Sequence, residues 1–159
     1  GIDVNGYYGK KYESTFVSNY EDCEGSPLYP FGYGISYTEF EYNNLKADKN
    51  VISLDEIEEG GVFTIEVSVK NVGSVDGKEV VQCYIRDCCA SMARPIRELK
   101  GFEKVNIKAG KEKTVSFKLG FEELGFYNGE GKFVVEKGKF NVYVGTNCLD
   151  VQSITVSVI

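Results

Sequence analysis

Five cysteines, two adjacent carboxylate pairs and one missing residue type set the chemical options of this 159-residue chain. It contains no His. That excludes a Ser-His or Cys-His nucleophile pair, and it removes the commonest metal ligand. The cysteines are Cys23, Cys83, Cys88, Cys89 and Cys148. An odd number cannot be fully paired within one chain, and joining the neighbours Cys88 and Cys89 requires strained geometry. A zinc site wants paired ligands at short spacing, usually with His. The set therefore reads as free thiols, with Cys83 a small buried apolar residue inside a strand-like run. Free thiols favour a reducing compartment, so the expected location is cytoplasmic. Glu58-Glu59 and Glu122-Glu123 put carboxylates side by side, in stretches expected to be exposed loops where such charges are solvated. No catalytic residue, metal ligand or cofactor is assigned.

The elements that position these residues follow from composition and period. Hydrophobic residues are 42% and charged residues 26% of the chain, the mix of a globular protein. No apolar run reaches the length of about 18 residues that suggests a membrane span, so no membrane partner is expected. The net charge of −6 repels phosphate backbones and argues against a nucleic-acid partner. There is no Trp, so 11 Tyr and 10 Phe must supply the aromatic core. The chain starts Gly1-Ile2-Asp3, without an initiator Met or a basic-then-apolar leader. It reads as a segment of a longer polypeptide.

A period of two runs through most of the chain. In residues 62–70, Phe63, Ile65, Val67 and Val69 alternate with Thr64, Glu66, Ser68 and Lys70, which predicts a half-buried antiparallel strand. Further strands are expected at 39–45, 79–86, 114–119, 140–144 and 154–158, with a weaker one at 99–105. Phe121-Glu122-Glu123-Leu124 forms one helical turn at most. Gly73, Gly77, Gly110 and Gly138 are assigned to turns, and Gly101 to a bulge or close backbone contact. Seven or eight short strands punctuated by turns predict an all-β fold: an antiparallel two-sheet sandwich of immunoglobulin or fibronectin type III kind. Residues 1–38 differ. They are rich in Gly and Tyr, carry Pro27 and Pro30, and show little alternation. The expected organisation is a linker and the tail of a preceding domain over 1–38, and the sandwich over 39–159.

Four ordered motifs carry a resemblance across nearly the whole chain. The first is Pro27-Leu28-Tyr29-Pro30-Phe31-Gly32-Tyr33-Gly34-Ile35-Ser36-Tyr37-Thr38-Glu39-Phe40. The second is Gly77-Lys78-Glu79-Val80-Val81-Gln82 with Tyr84-Ile85-Arg86-Asp87. The third is Arg94-Pro95-Ile96-Arg97-Glu98-Leu99-Lys100-Gly101-Phe102-Glu103-Lys104-Val105. The fourth is Phe126-Tyr127, then Val134-Val135-Glu136-Lys137-Gly138-Lys139-Phe140 and Val144-Gly145. The chain resembles the C-terminal fibronectin type III-like domain of glycoside hydrolase family 3 enzymes, with the linker that precedes it.

The resemblance implies a parent enzyme that hydrolyses β-linked glucosides or xylosides with retention. Such hydrolysis needs two carboxyl groups about 5–5.5 Å apart. In the family they lie in a barrel and an α/β sandwich domain, and neither motif is present in these residues. The implied role is a non-catalytic accessory module whose partners are the catalytic domains of the parent chain. The alternatives are a carbohydrate-binding module that holds β-linked oligosaccharide and an unrelated β-sandwich interaction domain. Tyr29, Phe31, Tyr33 and Arg94 are the substrate-binding candidates for the carbohydrate reading. Packing of the linker aromatics against neighbouring domains competes with it. Arg94 and Arg97 either pair with acidic groups of a neighbouring domain or line the rim of its active site. Left bare, residues 1–38 are expected to promote self-association.

Overall fold

A computed structural model of the chain describes residues 36–88 and 97–159. Alternation decides the layers. β3 (Phe63–Asn71) buries Phe63, Ile65, Val67 and Val69, and β6 (Glu112–Leu119) buries Val115, Phe117 and Leu119. With β1 (Phe40–Ala47) they form an antiparallel sheet of order β1-β3-β6, in which Ile65 lies opposite Phe117 and Val67 opposite Val115. The second sheet has the order β2-β10-β9-β4-β5. Its strands are β2 (Val51–Ile52), β10 (Val151–Val158), β9 (Gly138–Gly145), β4 (Gly77–Asp87) and β5 (Glu98–Ile107). A small hairpin, β7 (Phe126–Tyr127) with β8 (Phe133–Val134), lies outside both sheets.

Between the sheets, Val81, Cys83 and Ile85 of β4 and Phe140, Val142 and Val144 of β9 join the β3 and β6 residues in one core cluster. Burying each large apolar side chain contributes about 1.5–3 kcal/mol. The expected two-sheet, all-β sandwich is therefore what forms. Among the described residues, seven strands have eight or more residues and three have two.

Several local expectations need correction. The weak strand at 99–105 is the ten-residue β5, because the long β4 supplies a hydrogen-bonding partner along its length. β2 pairs parallel to β10, so the larger sheet is not wholly antiparallel. A helical turn, α1 (Leu54–Glu58), carries no visible stripe because it has five residues; Ser53 caps it by accepting the Glu56 N–H at 3.1 Å. Glu58 and Glu59 are exposed at its end, as expected. Glu122 and Glu123 sit in α2 (Phe121–Leu124) rather than a loop, and the half-buried Glu123 carboxylate accepts the Gly120 N–H at 2.9 Å. Gly77 and Gly138 begin β4 and β9 instead of forming turns. The core is not mainly aromatic either. Among the described residues, Phe63, Phe117 and Phe140 are the rings buried in the main cluster, Phe40, Tyr42 and Phe121 pack against it, and Val, Ile and Leu fill most of the rest.

Gly101 meets its expectation. A register shift between Cys83 and Tyr84 places Gly101 opposite Cys83 and Leu99 opposite Tyr84. A Cβ on Gly101 would lie 3.3 Å from the Phe117 ring, so the bulge brings backbone against a core side chain.

One polar group is buried at the end of the sandwich. Asn71 has no solvent exposure. Its Nδ2 donates to the carbonyls of Val75 (2.8 Å) and Ile107 (2.9 Å). Its Oδ1 accepts from Thr38 Oγ1 (2.8 Å) and the Gly73 N–H (3.0 Å). Asn71→Ala leaves both carbonyls without this donor and is expected to cost about 2–4 kcal/mol. Urea unfolding of the full chain checks this, with exposed Lys118→Ala as the reference, expected within about 0.5 kcal/mol of the parent sequence.

Candidate functional site

β4 is a strand that faces two ways. Val81, Cys83 and Ile85 point into the core, yet Gln82 and Tyr84, on the opposite face, are also buried, at 7% and 1% exposure. The Tyr84 phenol donates to Gln82 Oε1, and Gln82 Nε2 donates to the Thr146 carbonyl at 2.9 Å. β9 supplies Tyr143, opposite Tyr84. The Arg97 guanidinium lies 4.1 Å from the Tyr143 ring centroid, a cation–π contact, and its Nη1 donates to the Cys148 carbonyl. That carbonyl belongs to the β9–β10 turn, where Asn147 Oδ1 accepts the N–H groups of Leu149 and Asp150, each at 2.9 Å. Beside this locked cluster are exposed apolar side chains: Val80 on β4, and Leu99 and Phe102 on β5. Phe102, opposite Gln82, is 67% exposed. The arrangement is a rigid surface with an apolar patch along its β4–β5 edge.

Two buried ionisable side chains, Cys83 and Tyr42, have raised pKa values. Burial, and secondarily the Glu123 charge, pushes the Cys83 thiol from 9.0 up to about 12. Burial also raises the Tyr42 phenol above its ordinary value, followed by its hydrogen bond to Glu79 and the charges of Glu79 and Asp150. The Tyr42 hydroxyl donates to Glu79 Oε1 at 2.6 Å. Among the described residues no group of three or more His, Cys, Asp or Glu could hold a metal ion. No helix among them is long and apolar enough to cross a membrane.

Tyr29, Phe31, Tyr33 and Arg94 lie outside the described residues, as do residues 1–35 of the segment expected to self-associate. Tyr37 is described and is 98% exposed. Arg97 corrects the reading given to it, since its guanidinium is engaged within the domain, on Tyr143 and the Cys148 carbonyl. Sequence reasoning did not single out Gln82, Tyr84, Val80, Phe102 or Tyr143. A signal was present: from Val80 to Ile85 the alternation fails, which marks a strand covered on both faces.

Strand order and layering define a fibronectin type III-like sandwich. Residues 79–148 match the fibronectin type III-like domain family, and the chain is 41% identical over 140 residues to the periplasmic beta-glucosidase of Salmonella typhimurium. The chain belongs to the fibronectin type III-like domains found in glycoside hydrolase family 3 proteins. The Salmonella alignment covers 88% of this chain and 18% of that protein. A beta-xylosidase of Formosa agariphila is 46% identical over 128 residues, covering 80% of this chain and 17% of the relative. Among solved structures, the Listeria innocua beta-glucosidase in complex with isofagomine superposes with a TM-score of 0.77 at 42% identity, over 94% of this chain and 20% of that one. The Bifidobacterium adolescentis GH3 beta-glucosidase gives 0.75 at 30% identity, again over 94% and 20%. The chain thus spans less than a fifth of the length of these two curated relatives.

The raised thiol gives a pH prediction. The folded pKa of Cys83 lies above its ordinary value, so its contribution to stability is intact below pH 9 and is lost as pH rises toward 12. Thermal unfolding of the full chain is expected to weaken across that window, and to weaken less in Cys83→Ala. A decline of equal steepness in both proteins counts against the assignment.

Proposed function

We propose that this domain is a non-catalytic, C-terminal accessory module that docks on and stabilises the catalytic part of a polypeptide hydrolysing β-linked glucosides or xylosides with retention. The observation that carries this reading is coverage. Relatives named beta-glucosidase and beta-xylosidase match 80–88% of this chain with only 17–18% of their own length. The carboxylates within the sandwich support it. Glu79 accepts from Tyr42, Glu66 pairs with Lys46 at 3.0 Å, Glu56 pairs with Lys49 at 2.6 Å and Glu123 caps α2. Retaining hydrolysis needs a pair of carboxyl groups facing one sugar about 5–5.5 Å apart. The start of β1 at Phe40 supports a boundary near residue 39, with 1–38 as linker and 39–159 as the module.

Removing residues 36–159 from the parent polypeptide is the test. Loss of a docked partner is expected to lower the thermal midpoint of β-glycosidase activity by about 5 °C or more. An unchanged midpoint overturns the reading. Calorimetry of the full 159-residue chain with β-glucan or xylan up to millimolar concentration is expected to show no binding heat. Saturable heat there moves the assignment to the carbohydrate-binding alternative.

A further inference from the structure

We infer that the outward face of the larger sheet, centred on Val80, Leu99 and Phe102, docks against an acidic surface with an apolar centre on the catalytic part of the same polypeptide. This rests on the accessory-module reading above. The argument is one of charge segregation. The chain carries a net charge of −6. Yet the charged residues that alternate outward along β4, β5, β9 and β10 are Lys78, Arg86, Lys104 and Lys139, all cationic. No carboxylate alternates outward on these strands; Glu103 of β5, opposite the inward-facing Val81, is exposed beside Lys104. Glu98, at the bulge, is neutralised by Lys100 at 2.8 Å.

The smaller sheet is the internal control. Its outward positions mix signs, with Glu41, Glu66 and Glu112 beside Lys46, Lys70 and Lys118. That is an ordinary solvated surface, and Lys46 pairs with Glu66 across it. On the larger sheet, the apolar residues gather at the β4–β5 edge with cations around them on the same face, an apolar patch with a charged surround as protein interfaces have. The Tyr84–Gln82–Thr146 chain and the Arg97–Tyr143 stack hold the surface in one conformation, so little entropy is lost on docking.

Two features select the occupant. The patch combines Val, Leu and a single Phe, which suits an apolar protein surface better than a row of sugar rings. The relatives are more than five times longer than the segment this chain matches, so the partner is tethered. Tethering supplies an effective concentration of about millimolar for a short linker, and a modest interface then suffices.

The experiment places Phe102→Glu, Lys104→Glu and, as control, Thr114→Glu on the smaller sheet, in the full parent polypeptide. The midpoint of activity loss is expected to fall by about 3–6 °C for Phe102→Glu, while Thr114→Glu leaves it unchanged. Lys104→Glu is expected to lower it at low salt and progressively less at high salt. A photo-crosslinking residue in place of Phe102 is expected to capture a peptide from the catalytic part. If removing residues 36–159 lowers the midpoint but Phe102→Glu behaves like Thr114→Glu, the face is wrong and the accessory role stands. If the removal has no effect, both fall. Binding of the chain to polygalacturonate that Lys104→Glu abolishes, with the parent midpoint untouched, overturns the proposal in favour of an acidic glycan.

Discussion

The sandwich is held at one end by a single amide. Asn71 closes β3, and its side chain reaches the segment before β1, the β3–β4 loop and the end of β5. Its own N–H donates to the Lys111 carbonyl, and its carbonyl accepts the Gly110 N–H, both at 2.9 Å. A buried amide is tolerated only when its hydrogen bonds are made. Here that requirement fixes where β1 enters, how β3 crosses to β4 in the other sheet, and how β5 returns to β6. A hydrophobic residue at this position has no means of ordering three connections at once. The apolar core supplies cohesion, and Asn71 supplies register between the layers.

What was legible in the sequence follows the same division. Strands with one wet face announced themselves, because burial on one side forces a period of two; β3 and β6 are such strands. β4 did not show its second role, since residues covered on both sides have no period to read. β5 was underestimated for the opposite reason. As an edge strand it needs few buried side chains, and its ladder to β4 is a backbone property. The capped turn α1 left only Ser53 and Glu56 as signals. Asn71 carried no signal of its own in the sequence, because polar residues that order a loop and polar residues that merely tolerate one share a composition.

The aromatic residues show how position separates chemistry that composition merges. Phe63 and Phe140 are spacers between layers. Tyr42 crosses the interior to reach Glu79. Tyr84 and Tyr143 harden the outer surface, and Phe102 stands free upon it. The missing Trp leaves no gap, because β-branched residues from both sheets interdigitate where a large ring would sit. The site candidates drawn from the linker depended on Tyr and Phe abundance alone, which carries no information about which side of a layer a ring occupies.

The parallel clasp between β2 and β10 has a consequence for biosynthesis. Ser157 donates to the Asn50 carbonyl, and Ile159 to that of Ile52. These partners are about a hundred residues apart in the chain. During translation the larger sheet therefore stays open at that edge until its final strand clears the ribosome. Earlier strands can collapse on the core beforehand, but closure waits for β10. A chain truncated inside β10 cannot form the clasp, so this edge of the sheet reports whether the domain itself is whole.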